Sequence, residues 1–159
     1  MKLIVGLGNP GAKHKNNRHN IGHIVAENLK SQIPNAKIIK TDVFMNESGR
    51  FVKSLYTKYK ILDTDLYIIH DDLDLSLGTY KIQKGRGPKD HKGLNSIYEV
   101  LGTKDFWHVR VGVDNRSPEE RISGEEYVLQ DFTDKEKKIV TGAVGEICRR
   151  LATILKNIN

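Results

Sequence analysis

Side chains suited to acid–base chemistry follow the ends of several predicted strands. Asn9 comes after the first apolar run of the chain, Asn46 after a short extended segment, and Asp71 after a buried strand. Ligand sites in open α/β sheets lie beyond the carboxyl ends of the strands, so we expect these side chains to share one edge of a sheet. His19 follows Asn9 at the start of a predicted helix. A histidine beside a carboxylate can act as a general base, and carboxamide N–H groups can bind a carbonyl oxygen.

The sequence offers no obvious nucleophilic side chain for such a site. It lacks a G-x-S-x-G serine, and Cys148, the only cysteine, falls within a predicted amphipathic helix. We therefore expect direct attack by water if the site is hydrolytic. The single cysteine excludes an internal disulfide and a cysteine-based zinc site, and we expect no metal. The acids Asp71, Asp72 and Asp74 leave a magnesium site open as an alternative.

The segment Gly6-Leu7-Gly8-Asn9-Pro10-Gly11 matches the pattern G-x-G-x-x-G that holds dinucleotides. In that use the third glycine opens a helix whose N-terminus binds the pyrophosphate. Here the residues after Gly11 are polar and typical of a loop, and no acidic residue ends a second strand at the expected distance. A rigid loop that presents Asn9 is the better interpretation, and a dinucleotide site stays open as the alternative.

The elements that must position these side chains alternate between strands and helices, as in a single α/β unit over residues 1–159. The pattern predicts strands or extended pieces at 2–7, 36–39, 41–45, 66–70, 80–83 and 107–113. It predicts helices that begin at Asn20, at Asn46 or Ser48, near His91 and after an N-cap at Thr133. No stretch approaches the ~20 apolar residues of a membrane span, and no signal peptide is visible, so we expect a cytoplasmic protein.

The charge of the chain indicates an anionic partner. The 159 residues carry a formal net charge of +6, and the excess is concentrated in residues 1–18 and 81–92. Clustered positive charge of this kind favours nucleic acid binding. A lysine-rich surface that serves only solubility is the alternative.

A series of short motifs follows over nearly the whole chain. They are Val5-Gly6-Leu7-Gly8-Asn9-Pro10-Gly11, Arg18-His19-Asn20-Ile21-Gly22, Phe44-Met45-Asn46-Glu47-Ser48-Gly49, His70-Asp71-Asp72-Leu73-Asp74-Leu75, His91-Lys92-Gly93-Leu94-Asn95-Ser96-Ile97, His108-Val109-Arg110-Val111-Gly112-Val113, and Tyr127-Val128-Leu129 with Phe132. In this order they resemble bacterial-type peptidyl-tRNA hydrolases. Each motif is modest alone, but the ordered series is highly specific.

The resemblance implies a single domain with a central, mostly parallel mixed sheet flanked by helices. Such enzymes cleave the ester between a peptide and the 3′ ribose of tRNA, which recycles tRNA from stalled translation. The resemblance implies tRNA as the macromolecular partner and no cofactor. It also implies a cytoplasmic monomer that has no membrane association and no obligate protein partner.

The resemblance also implies roles for individual residues. His19 matches the catalytic base of the family, and Asp71 matches the carboxylate that orients it. The implied substrate-binding residues are Asn9, Asn46, His14, Phe44 and Lys92. The implied tRNA-binding residues are Lys81, Lys84, Arg86, Lys89 and Arg110.

Several positions depart from the family pattern. Lys92 stands where the family has an asparagine, His14 where it has a tyrosine, and Asn17 where it has a threonine. The glycine-rich loop before His91 is replaced by a basic segment, and residues 30–43 form a shorter connection than usual. These departures keep a second hypothesis open, a non-catalytic RNA-binding relative, although RNA binding alone would not require the pair of His19 and Asp71.

Overall fold

One five-stranded sheet forms the centre of the molecule, in a computed structural model that describes residues 1–156. The strands are β1 (Lys2–Gly6), β2 (Ala36–Lys40), β3 (Leu66–Ser76), β4 (Tyr80–Lys84) and β5 (Trp107–Asp114). Their order is β2-β1-β3-β5-β4. β4 pairs antiparallel with β5, and the other strand pairs are parallel. This arrangement confirms the predicted mostly parallel mixed sheet.

Helices cover both faces of the sheet. They are α1 (Ile21–Leu29), α2 (Ser48–Lys58), α3 (Lys92–Leu101), α4 (Gly124–Val128) and α5 (Asp134–Lys156). The apolar residues of α1 and α5 share one core, and those of α2 and α3 share the other. Single turns of 3-10 helix occur at Ala12–His14, Arg18–Asn20, Met45–Glu47 and Asp63–Asp65.

The alternation of β1 shows how one apolar run serves both cores. Leu3 and Val5 lie in the core with α2 and α3, whereas Ile4 lies in the core with α1 and α5. All three side chains are fully buried. Because successive side chains of a strand point to opposite faces, a continuous apolar run is what a strand covered on both sides requires.

Two glycines allow α1 to approach the sheet closely. A Cβ added to Gly22 would lie 2.4 Å from the backbone oxygen of Ile69, and one added to Gly6 would lie 2.2 Å from the backbone oxygen of Gly22. The turn Arg18–Asn20 leads directly into α1, so this close contact brings the turn against β3. His19 lies in that turn.

The helix starts correct two predictions from the sequence. Asn20 does not cap α1 with its side chain, because its carboxamide forms hydrogen bonds with the backbone of Asn9. Asn46 does not cap α2, because it lies within a preceding turn of 3-10 helix, and the helix begins at the other predicted start, Ser48. The cap of α5 is confirmed, since Oγ1 of Thr133 accepts a hydrogen bond from the backbone N–H of Glu136 at 3.2 Å.

Two predicted strand boundaries are also wrong. β3 continues to Ser76, so the acids at 71–74 belong to the strand and do not form a loop beyond it. The predicted extended piece at 41–45 is not a strand, and it ends in the turn Met45–Glu47. None of the helices described for residues 1–156 is long and apolar enough to cross a membrane.

A pair of glycine substitutions tests the close packing of α1. Gly22→Ala should lower the free energy of unfolding by about 2 kcal/mol, because the new methyl group has no room against the sheet. Gly142→Ala is the matched control in α5, where no neighbouring atom lies within 4 Å of the added Cβ. That change should raise the free energy of unfolding by up to ~1 kcal/mol, since alanine favours a helix. Urea unfolding measures both, and equal stability of Gly22→Ala and the wild type would contradict this packing.

Candidate active site

His19 and Asp71 form a buried hydrogen-bonded pair, with Asp71 in the middle of β3 and just beyond the level at which β1 ends. Nδ1 of His19 lies 2.8 Å from Oδ2 of Asp71. The carboxylate is 2% exposed and the histidine is 8% exposed. The turn before α1 supplies the imidazole and β3 supplies the carboxylate, 52 residues apart along the chain. Because Nδ1 faces the carboxylate, Nε2 is the ring nitrogen left for a reacting group.

A second histidine contacts the same carboxylate. Nε2 of His91 lies 2.8 Å from Oδ1 of Asp71, so each carboxylate oxygen has one imidazole partner. His91 is the N-cap of α3, and its Nδ1 accepts a hydrogen bond from the backbone N–H of Leu94 at 3.2 Å. The sequence alone indicates no role for His91 beyond a place near the start of a helix. The available signal was its place directly before a helix, which does not reveal the contact with β3.

The electrostatics of the pair follow from burial and from the mutual contact. Burial lowers the pKa of His19, but the charge of Asp71 and its hydrogen bond together outweigh burial, so the pKa lies above the ordinary 6.5. The charge of Lys92 opposes this rise. Burial would raise the pKa of Asp71, yet its two imidazole partners hold that pKa well below its ordinary value. Asp71 is therefore a carboxylate throughout the physiological range.

The loop that carries Asn9 is held from both sides. The carboxamide of Asn20 accepts a hydrogen bond from the backbone N–H of Asn9 and donates one to its carbonyl, both at 2.9 Å. Oδ1 of Asn9 accepts the backbone N–H of Met45 at 2.8 Å. This leaves the amide N–H₂ group of Asn9 as the part of the side chain that can donate to a ligand. Asn20 thus holds the loop in place. Its position before a helix predicted a helix cap instead of this role.

Two connected cavities meet at His19. The first, which we call the Phe44 lobe, measures about 340 Å³ and is lined by Asn9, His19, Phe44, Met45, Asn46, Lys92, Glu125, Val128 and Leu129. The second, the Pro88 lobe, measures about 310 Å³ and is lined by His19, Asp71, Leu73, Asp74, Pro88, Lys89, Asp90, His91, Lys92, Gly124, Glu125 and Val128. The ion pair of Lys92 and Glu125 lies where the two lobes join. A larger cavity of about 680 Å³ lies beyond Asn9 and contains neither His19 nor Asp71.

The structure brings most of the predicted substrate-binding residues to this cleft. Asn9, Asn46, Phe44 and Lys92 all line the Phe44 lobe. His14 does not line either lobe, and its Nδ1 is hydrogen-bonded to Oδ1 of Asn17 at 3.0 Å.

The predicted tRNA-binding residues divide into two groups. Lys81, Lys84, Arg86 and Lys89 are exposed on β4 and the loop that follows it. Arg110 is buried, and its Nε donates to Oδ2 of Asp72 at 2.7 Å. The expectation that Arg110 meets tRNA phosphates is therefore wrong. Its position in β5 directs the guanidinium toward a buried carboxylate, which it neutralises.

The acids of β3 do not form a magnesium site. Asp71 contacts the two histidines, Asp72 pairs with Arg110, and Asp74 accepts the backbone N–H of Lys89. Their carboxylates thus have separate partners instead of a common centre. His19, Asp71 and His91 do bring three ligand-type atoms within 4.8 Å of one another. In this cluster the hydrogen bonds to Asp71 already occupy the ring nitrogens that would have to face a metal.

The glycine motif does not hold a dinucleotide in the usual way. Gly11 is followed by a single turn of 3-10 helix, Ala12–His14, and α1 begins only at Ile21. A pyrophosphate site of the dinucleotide type needs a helix N-terminus directly after the third glycine. The interpretation of this segment as a rigid loop that presents Asn9 fits the observed geometry.

Comparisons with known proteins point to one family. The family model described as peptidyl-tRNA hydrolase matches residues 3–159. The peptidyl-tRNA hydrolase of Syntrophomonas wolfei is 36% identical over 177 residues, which cover 99% of this chain and 94% of the relative. That of Pseudothermotoga lettingae is 34% identical over 156 residues, which cover 88% of this chain and 82% of the relative. The crystal structure of peptidyl-tRNA hydrolase from Acinetobacter baumannii matches with a TM-score of 0.85 and 26% identity, over 98% of this chain and 89% of that one.

Nuclear magnetic resonance titration tests the electrostatics of the pair. The ring resonances of His19 should titrate with a midpoint above 6.5 in the wild type and below 6.5 in Asp71→Asn, because only burial and Lys92 act on the ring once the carboxylate is gone. His23 is the internal reference, since burial lowers its pKa to about 4. The same His19 midpoint in both proteins would contradict the assignment.

Proposed function

The chain belongs to the peptidyl-tRNA hydrolase family, and on that basis we propose that it hydrolyses the ester bond between a peptide and the 3′ end of tRNA. The observation that carries the proposal is the 2.8 Å contact between His19 and Asp71 at the junction of two lobes. A protein that only binds RNA has no need of a buried, oriented imidazole at the base of a cleft.

His19 is the proposed general base. Its Nε2 takes a proton from a water molecule as the water oxygen attacks the ester carbonyl carbon. Asp71 holds the proton on Nδ1 and stabilises the imidazolium that forms. The imidazolium then gives its proton to the 3′ oxygen as the ester bond breaks, which releases the 3′ hydroxyl group of tRNA and the carboxylic acid of the peptide, whose proton passes to solvent. Water, a base and hydrogen-bond donors supply this chemistry, so the proposal includes no cofactor.

The Phe44 lobe is the proposed site of the peptide. Asn9 and Asn46 would donate hydrogen bonds to the substrate carbonyl and to the negative charge that develops on its oxygen. Phe44 is 55% exposed and Leu129 is 47% exposed, and both line this lobe. Apolar side chains exposed at the rim of a cleft favour contact with a ligand. Lys92 would face the substrate from α3.

The Pro88 lobe and the basic residues beside it are the proposed path of the tRNA. The lobe includes Lys89, and the exposed cations Lys81, Lys84 and Arg86 precede it along the chain. Phosphate contacts by such residues give affinity that weakens as salt rises. A substrate of the translation apparatus also implies a cytoplasmic enzyme. We propose that it acts as a monomer, because one chain supplies the pair and both lobes.

Substitutions of the catalytic pair test the proposal with defined peptidyl-tRNA. His19→Ala should lower kcat by about 100-fold or more, which is the usual contribution of a general base. Asp71→Asn should lower kcat by a similar or larger factor, because the amide can favour the wrong tautomer of His19. In the wild type, kcat/KM should rise with pH through a midpoint above 6.5, since only the neutral imidazole accepts a proton.

Two results would oppose the proposed function. One is the absence of turnover by the wild type with tight, salt-sensitive RNA binding, which would favour the non-catalytic RNA-binding relative. The other is undiminished turnover by His19→Ala.

The salt dependence of kcat/KM tests the proposed path of the tRNA. The double substitution of Arg86 and Lys89 by alanine should make the slope of log(kcat/KM) against log salt shallower by about 1 to 2. The matched control is the double substitution of Lys53 and Lys58 by alanine. Those lysines line a separate surface of α2 near Val100, so the slope should not change. Equal slopes for the two double variants would contradict this path.

A further inference from the structure

His91 is a buried histidine that the proposed chemistry does not use. It is 7% exposed, and its ring centroid lies 5.0 Å from that of His19. Its position as the N-cap of α3 is unexpected, because helices prefer serine, threonine, aspartate or asparagine there. A shorter residue would serve the helix equally well. The presence of an imidazole at this N-cap therefore needs a reason other than capping.

The contacts of the ring fix its tautomer. The backbone N–H of Leu94 donates to Nδ1, so that nitrogen presents a lone pair and carries no proton. The proton of the neutral ring then resides on Nε2, which is directed at Oδ1 of Asp71 at 2.8 Å. A proton on Nδ1 would oppose the N–H of Leu94 and remove the cap. The start of α3 thus forces His91 to act as a donor toward Asp71.

The chain leaves room for the ring in this position. A Cβ added to Gly93 would lie 3.1 Å from Cε1 of His91 and 2.5 Å from Sδ of Met45. The glycine therefore lets the imidazole lie between the start of α3 and the carboxylate.

We propose that His91 is a positioning residue for the general base: in the tautomer that α3 enforces, it holds one oxygen of Asp71 and limits how strongly the other oxygen attracts the proton of His19. This inference rests on the proposed function for its effect on turnover. Its effect on His19 in the free protein does not depend on turnover.

The physical reason is that two donors share one carboxylate. A hydrogen bond from His91 withdraws negative charge from Asp71 and also prevents the carboxylate from rotating. Without that bond, Asp71 would stabilise the protonated form of His19 more strongly. His19 would then stay protonated to a higher pH and would be less aligned for proton transfer.

Other charged groups near the pair stay the same in this comparison. They come from every element that packs around the site: His70 and Asp74 of β3, Lys89 and Asp90 of the loop after β4, Lys92 of α3, and Glu125 of α4. A change at His91 alone therefore tests one contact against a constant background.

The test compares His91→Asn with the wild type. Asparagine is a good N-cap and can keep the hydrogen bond to Leu94, but it is too short to repeat the contact of Nε2 with Asp71. We expect the acid limb of the kcat/KM profile to move up by about half a pH unit, a threefold change in proton affinity, and the plateau of kcat to fall by about tenfold. His91→Phe loses the cap as well and should show the same shift with a lower melting temperature.

His23→Asn is the matched control. His23 forms a hydrogen bond with Oγ1 of Thr41 at 3.0 Å and does not contact Asp71. The acid limb of the kcat/KM profile of His23→Asn should therefore stay where it is in the wild type. The inference would be overturned if the acid limb of His91→Asn stays in place or moves to lower pH, even where activity falls. A purely structural role of His91 predicts loss of activity without a shift of the acid limb to higher pH.

Two measurements on the free protein separate this inference from the proposed function. In ¹⁵N-labelled wild type, the ring of His91 should show a protonated Nε2 and an unprotonated Nδ1 near neutral pH. The titration midpoint of His19 should also rise in His91→Asn. A failure to hydrolyse peptidyl-tRNA would remove the proposed function but leave both results readable, whereas a protonated Nδ1 or an unchanged midpoint would overturn the role of His91.

Discussion

The buried carboxylate of Asp71 is the constraint on which the site depends. A charge removed from water is costly unless donors surround it, and Asp71 receives one from each of two imidazoles. That requirement fixes the turn that carries His19 and the first residue of α3 relative to β3. The two imidazoles that compensate the charge of Asp71 therefore also form the floor of the cleft.

The fold meets this requirement through close packing and a clamp. Gly6 and Gly22 let α1 lie directly on the sheet, which brings the turn before α1 against β3 at Asp71. Asn20, next to His19 in that turn, holds the loop of Asn9 by both of its backbone groups. The base and the proposed carbonyl donor are thus linked through one short segment of chain. Arg110 plays a comparable part for the neighbouring Asp72 and keeps a second charge of β3 neutralised inside the sheet.

The sequence predicted what depends on local pattern and strand direction. The buried strands and the cap of α5 are readable because apolar spacing and capping residues are local. The meeting of His19 and Asp71 was expected from strand ends and from the family motifs, but Asp71 lies within β3, beyond the level at which the neighbouring β1 ends. Asn20, Arg110 and His91 were misread or missed because their partners lie elsewhere in the chain. An asparagine before a helix resembles a cap, an arginine in a basic protein resembles a phosphate ligand, and only the folded chain reveals their contacts.

The most direct test of the account is a crystal structure with a non-hydrolysable analogue, in which an amide replaces the ester between a short peptide and a 3′ adenosine. The proposed mechanism predicts an ordered water within hydrogen-bond distance of Nε2 of His19 and opposite the carbonyl carbon, with the peptide in the Phe44 lobe. A carbonyl bound away from His19, or an imidazole turned so that Nδ1 no longer meets Asp71, would contradict it.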